Sequence, residues 1–320
     1  MGGGPSHVET ITYVLEVYQK TLGDKCILPD VGIDESLLKY SGTDSNTALQ
    51  VYSNEMVNLV PGFIDSLGSS LGAFTPVPNA VGLGALVISF IMELIVMGTA
   101  AQTESSDSML RRVFGEEKAS GVRDTVSDYL TRHRMFMQNE DQLKGELRRL
   151  EQQLSSQLTI LKNSLLHDQQ MSTRGFKIWV NGAAFHVQML IHNARLNIET
   201  GSSDSDYVYE IQAAINLYLE DLDRLLDKYK TYKTRTTVFR EEFSDFCYFG
   251  CGECKAYNDE TKCSFDMGDL PCRRPEFTEA YVTHVFSNYE PIVGLKRHFS
   301  DMNDISTTLI HQHGSYFLRG

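Results

Sequence analysis

Residues 143–166 read LKGELRRLEQQLSSQLTILKNSLL. Leu143, Leu147, Leu150, Leu154, Leu158, Leu161 and Leu165 recur at steps of four and three, which on a helix sets them in one stripe. Glu, Arg, Lys and Gln flank that stripe, so one face seeks cover while the other is at ease in water. The run covers only about three heptads, so it predicts a helix that buries its leucines among neighbours of the same chain, in preference to a two-chain coiled coil.

The same period appears on both sides. Ile11, Val14, Leu15, Tyr18 and Leu22 mark a helix over 7–22, and Ile211, Ala214, Ile215, Tyr218, Leu222, Leu225 and Leu226 mark one over 206–244. A helix is expected over 47–73, bent near Pro61 and Gly62, and another over 175–199. The prolines of TPVPN at 75–79 break the chain, and GSSDSD at 201–206 serves as linker and N-cap. Strand signals are scarce and no period of 20 to 50 residues repeats, which excludes solenoids. The expectation is an all-α chain: an elongated bundle of long helices with a central apolar helix, followed by a cysteine-rich, loop-rich C-terminal region. Three parts follow from composition: 1–45 with a lipidation motif, a helix and a loop; 46–245 as the helical bundle; and 246–320 as the cysteine-rich region.

The central helix is NAVGLGALVISFIMELIVMGTAAQ, residues 79–102, in a stretch uncharged from Ser66 to Thr103 apart from Glu93. A helix over 80–102 would be ~34 Å long, enough to cross a hydrocarbon core. A carboxylate at mid-depth in lipid is costly unless paired or protonated, so Glu93 speaks against a simple anchor. Ala80, Gly82, Gly84 and Gly98 would let another helix approach closely. Two uses remain open: a core helix wrapped by amphipathic neighbours, or a segment released at a membrane through Val81, Leu83, Leu86, Ile88, Phe90, Ile91, Glu93, Leu94 and Ile95. In the second, protonation of Glu93 would lift the brake on insertion.

Charge narrows the partners. Residues 1–102 carry 3 Lys+Arg against 10 Asp+Glu, 103–200 carry 13 against 12, and 201–320 carry 13 against 20, for a net −13. A chain this acidic without a basic block is not built for nucleic acid, nor for purely electrostatic adsorption to anionic lipid. The start MGGGPS offers Gly2 for N-myristoylation once Met1 is removed, with Ser6 at the favoured position. No Asn-x-Ser/Thr sequon occurs. Both signs point to a cytoplasmic protein peripheral to membranes, with membrane lipid and copies of itself as partners; a secreted protein is the alternative.

Cys247, Cys251, Cys254, Cys263 and Cys272 crowd the tail, while Cys26 stands alone near the start. Cys251-Gly-Glu-Cys254 has zinc-knuckle spacing, and with Cys263 and Cys272 it could complete a structural four-sulfur Zn site. In an oxidising compartment the same cysteines would form disulfides instead, and unliganded thiols are the third reading.

Catalytic signatures are missing: no phosphate-binding glycine loop, nucleophile elbow, zincin pair or dinucleotide fingerprint is present. His186 and His192, six apart on a helix, do not share a face and cannot clasp one ion. A non-enzymatic protein is expected. Its layout of amphipathic helices, a glycine-bearing apolar segment and a long leucine-striped helix resembles α-helical pore-forming proteins of the cytolysin type. It is also similar to the apolipoprotein L group and the fish rapunzel family. The resemblance covers residues 50–240 and implies membrane association, with insertion or pore formation; the rival is a soluble helical scaffold whose apolar segment is only core.

Overall fold

Helix starts and stops follow local chemistry. The computed structural model describes residues 7–71, 84–97, 109–114, 121–136, 139–198, 204–243, 252–268 and 275–312; it is mostly helical, with one small sheet. After α1 (His7–Thr21), Asp34 caps α2 (Glu35–Tyr40) by accepting from the Ser36 amide at 2.9 Å. The expected bend near Pro61 is a break between α3 (Ser45–Leu59) and α4 (Phe63–Leu71), where Gly62 turns with φ +70°, a conformation glycine adopts freely. The apolar helix α5 (Gly84–Met97) and the short α6 (Met109–Phe114) come next, then α7 (Gly121–Phe136). Asn139 caps α8 (Glu140–Leu166) through the Gln142 amide at 3.2 Å, and Ser172 caps α9 (Thr173–Ile198) through Gly175 at 3.0 Å.

The helix expected over 206–244 ends earlier. α10 (Asp204–Thr236) gives way to β1 (Thr237–Phe243), where Thr237, Val238 and Phe239 replace helix formers with β-branched and aromatic residues. β2 (Gly252–Asn258) pairs antiparallel with β1, from Thr237 opposite Asn258 to Phe243 opposite Gly252, and β3 (Cys263–Asp266) closes a hairpin on β2. The C-terminal region, expected to be loop-rich, also carries α11 (Pro275–Asn288) and α12 (Glu290–Ile310). Ile292, Leu295, Phe299, Met302 and Leu309 of α12 are buried at helical spacing.

Two compact units divide the chain, and they cut across the linear division at 45 and 245. One comprises Met1–Gly32, Ser164–Phe176 and Leu222–Lys296; the other comprises Ile33–Asn163, Lys177–Asp221 and Arg297–Gly320. The core of the first unit joins Tyr13 of α1, Phe239 of β1 and Phe277 and Tyr281 of α11, with Tyr13 and Phe277 edge to face at 4.3 Å. Lys20 donates to the Met267 carbonyl at 2.8 Å, and Thr21 bonds the Tyr281 hydroxyl at 2.7 Å.

In the second unit the leucine stripe is core of the same chain: Leu143, Leu147, Leu150, Leu154 and Leu158 are buried, and Leu161 is half-buried. The helix most completely enclosed there is α9, buried without interruption from Ile178 to His192. Close approach to it depends on Gly182, where a Cβ would lie 2.8 Å from both Leu158 Cδ2 and Val122 Cγ1. Gly182→Val should therefore cost about 2–3 kcal/mol by overpacking, while Gly145→Ala, with open space around it, should stabilise by up to about 1 kcal/mol. Urea midpoints of the two variants check this, and the ordering should be unmistakable.

Candidate functional site

The apolar segment becomes a site through what surrounds it. α5 packs against α2, α3, α4 and α7, and Leu86, Ile88, Phe90 and Ile91 are buried together with Val87, Ser89 and Met92. Seven consecutive buried positions cover every face of a helix, so neighbours from the same chain take up the apolar surface that lipid would otherwise take. Ile95 is half-buried; Val81 and Leu83, like Gly2, lie outside the described residues, as does the side chain of Leu94. The described helix has 14 residues against the expected span of 80–102, about 21 Å of rise. Among the described residues no helix is long and apolar enough to cross a membrane.

Glu93 meets a charged cluster at the edge of this core. Arg112 of α6 clamps Asp34 with two hydrogen bonds, Nε to Oδ2 at 3.0 Å and Nη2 to Oδ1 at 2.9 Å, and donates a third to Ser36 Oγ at 2.8 Å. The Asp34 side chain is only 6% exposed, against 25% for Arg112. Besides capping α2, Asp34 donates its backbone amide to Asn181 Oδ1 of α9 at 2.7 Å, so one residue ties three helices. Burial pushes the Glu93 carboxyl up to about 7; Arg112 opposes this, Asp34 adds to it, and hydrogen bonds from the Met109 amide and Ser36 oppose it. Glu93 Oε2 is buried and has no hydrogen-bond partner among the described residues. Burial, followed by the charges of Glu93 and Glu55, raises the Tyr52 hydroxyl to about 12. Nearby Lys39 Nζ sits 5.3 Å from the Tyr40 ring and 5.6 Å from that of Tyr52. Through its hydrogen bonds Asp34 joins α2, α6 and α9 at the edge of the core.

The cysteines take a different course from the metal reading. Cys263 at the start of β3 is joined in a disulfide to Cys26, 237 positions earlier, and Cys254 is also disulfide-bonded. Asn258 Nδ2 donates to the Cys26 carbonyl at 2.7 Å beside the bridge, and the Asp24 carboxylate accepts from the Cys26 and Ile27 amides, both at 2.9 Å. Zinc binds thiolates, so two of the four expected ligands are spent as cystine sulfur, while Cys251 and Cys272 lie outside the described residues. Cys26 had no close neighbour in sequence, and only the fold reveals its partner.

Buried polar groups on α9 complete the inventory. His186, 4% exposed, has both ring nitrogens engaged: Nε2 with Glu151 Oε1 at 2.8 Å and Nδ1 with the Tyr218 hydroxyl at 3.0 Å. His192 Nδ1 meets the Tyr129 hydroxyl at 2.9 Å, so the two histidines serve separate faces, as their spacing requires. Arg195 donates to the Leu309 carbonyl and to Gln312 Oε1, and burial draws it down to about 10. Glu151 also lines a polar cleft of about 290 Å³ formed by α8, α9 and α10, together with Arg148, Asn193 and Glu210. Asp34 could have been found from sequence, since an aspartate directly before Glu-Ser-Leu-Leu is an N-cap signature; nothing local singles out Arg112. No family model, curated protein or solved structure matches this chain.

Proposed function

We propose that this chain is a non-enzymatic helical protein that acts by binding, in an oxidising compartment, with its apolar segment serving as core. The observation that carries this reading is the burial of α5 on every face by helices of its own chain. The Cys26–Cys263 bridge supports the secreted alternative, because cytosolic glutathione keeps such thiols reduced. Membrane association through Gly2 or through α5 is the second reading, and the sign of the Glu93 shift weighs against acid-driven release of α5. A carboxyl raised from 4.5 to about 7 on folding binds its proton more tightly in the packed chain than in the unfolded one. The stability it contributes is complete below about pH 4.5 and is lost as pH rises through about 7, so acid favours the packed helix.

Unfolding free energy should therefore fall by about 2–3 kcal/mol between pH 5 and pH 8 through this group, and Glu93→Gln should abolish most of that slope. Vesicles of phosphatidylcholine and phosphatidylserine loaded with dye provide the functional test. Neither wild type nor Glu93→Gln should cause leakage from pH 5 to 7.5; leakage that grows on acidification would establish the membrane reading in place of this one.

A further inference from the structure

The cleft between α8, the later part of α9 and the start of α10 is lined by charged groups of both signs. Lys144, Arg148 and Glu151 follow one another at helical spacing along α8, and Glu210 stands on α10. Arg148 and Glu210 are exposed, and among the described residues neither makes a hydrogen bond or an ion pair. The two opposite charges line the same cleft without forming an ion pair with each other.

Other groups of the cleft are fixed by their neighbours. Glu151, 15% exposed, has Oε1 fixed by His186, which is in turn fixed by Tyr218. Asn197 Nδ2 donates to the Asn193 carbonyl at 2.7 Å and to Asn193 Oδ1 at 3.1 Å, which commits the Asn193 oxygen and leaves its own amide hydrogens available. Two cations, Lys144 and Arg148, balance two carboxylates, Glu151 and Glu210. A site with separated charges and no net charge complements a ligand of the same kind, and about 290 Å³ accommodates a molecule of few heavy atoms.

Resting on the reading of the chain as a binding protein, we propose that this cleft binds a small zwitterion of the free amino-acid type. Its carboxylate lies on Arg148, where a planar guanidinium can hold both oxygens, and its ammonium lies between Glu210 and Glu151. Asn193 supplies the directional donor.

Thermal denaturation in the presence of each of the twenty free L-amino acids at 5 mM, followed by calorimetric titration of the best, tests this directly. At least one should raise the midpoint, and its N-acetyl and carboxamide forms should each bind at least tenfold more weakly. Arg148→Gln and Glu210→Gln should weaken binding at least tenfold while leaving the unliganded midpoint unchanged, as suits exposed positions without partners. If no amino acid shifts the midpoint, if only neutral sugars such as glucose do so, or if both variants bind as wild type does, the proposal is overturned. Vesicle leakage separates this failure from failure of the broader reading: a null titration with intact vesicles removes the ligand class alone.

Discussion

Arg112→Ala should lower the unfolding free energy by about 3–5 kcal/mol, the largest effect expected of a single side chain in its unit. Arg112 makes two hydrogen bonds to a carboxylate that is 6% exposed, and a third to Ser36. Removing it leaves Asp34 with its cap to Ser36 but without a countercharge, and takes from Glu93 the group that most opposes its burial. Glu93 then disfavours the folded chain more strongly when ionised, so the loss should be greater at pH 8 than at pH 5. The double-mutant cycle with Glu93→Gln should show coupling of about 1 kcal/mol or more, because a neutral amide has less need of the guanidinium. Arg112→Lys should recover only part, since an ammonium cannot reproduce the two-pronged geometry. Urea denaturation at the two pH values provides all of these quantities; a cost below about 1 kcal/mol for Arg112→Ala would mean that the clamp is not what holds α6 against Asp34.

Loss of the Cys26–Cys263 bridge should be comparably severe. The bridge closes a loop spanning 237 positions, and restricting so long a loop in the unfolded chain corresponds to as much as about 5 kcal/mol in the chain-entropy account, with about 3 kcal/mol a fair expectation once residual unfolded structure is allowed for. Cys26→Ser together with Cys263→Ser should lower the denaturation midpoint accordingly, and the Lys20–Met267 and Thr21–Tyr281 contacts on the same segment should exchange their protection for faster amide exchange in α1. Peptide mapping without reductant should recover residues 26 and 263 in one cross-linked fragment. Two separate thiol-bearing peptides, with a midpoint unaffected by reductant, would rule the bridge out in solution and remove the support it lends to an oxidising compartment.

The parts of the fold that were legible are those in which a local period carries the information. The leucines of α8 and the apolar positions of α10 recur every three or four residues and are largely turned inward, whereas in α1 the same period marks the helix but of those positions only Val14 and Tyr18 are buried, Ile11, Leu15 and Leu22 staying exposed. Pro61 and Gly62 likewise break a helix by their own backbone limits. Less legible was the sheet, because β1 follows a helical pattern without a turn signal and its strand character rests on a few residues beginning at Thr237. α9 is enclosed although it carries Asn181, His186, Gln188 and His192; for Asn181, His186 and His192 the fold supplies Asp34, Glu151, Tyr218 and Tyr129 as partners, and a bonded polar group can be buried.

Composition and periodicity by themselves determined that the chain is helical, that α8 packs its leucines inward, and that a nearly uncharged helix lies near residue 90 with one carboxylate upon it. Tertiary structure alone decided what surrounds those features. Whether α5 faces lipid or protein depends on α2, α3, α4 and α7 arriving around it; whether Glu93 is charged depends on its burial and then on Arg112 and Asp34; and whether Cys263 is a ligand or a half-cystine depends on Cys26. A helical period is set by each residue's own neighbours a turn away, whereas burial, pKa and disulfide pairing are set by groups distant in sequence, which only the folded chain brings within bonding distance.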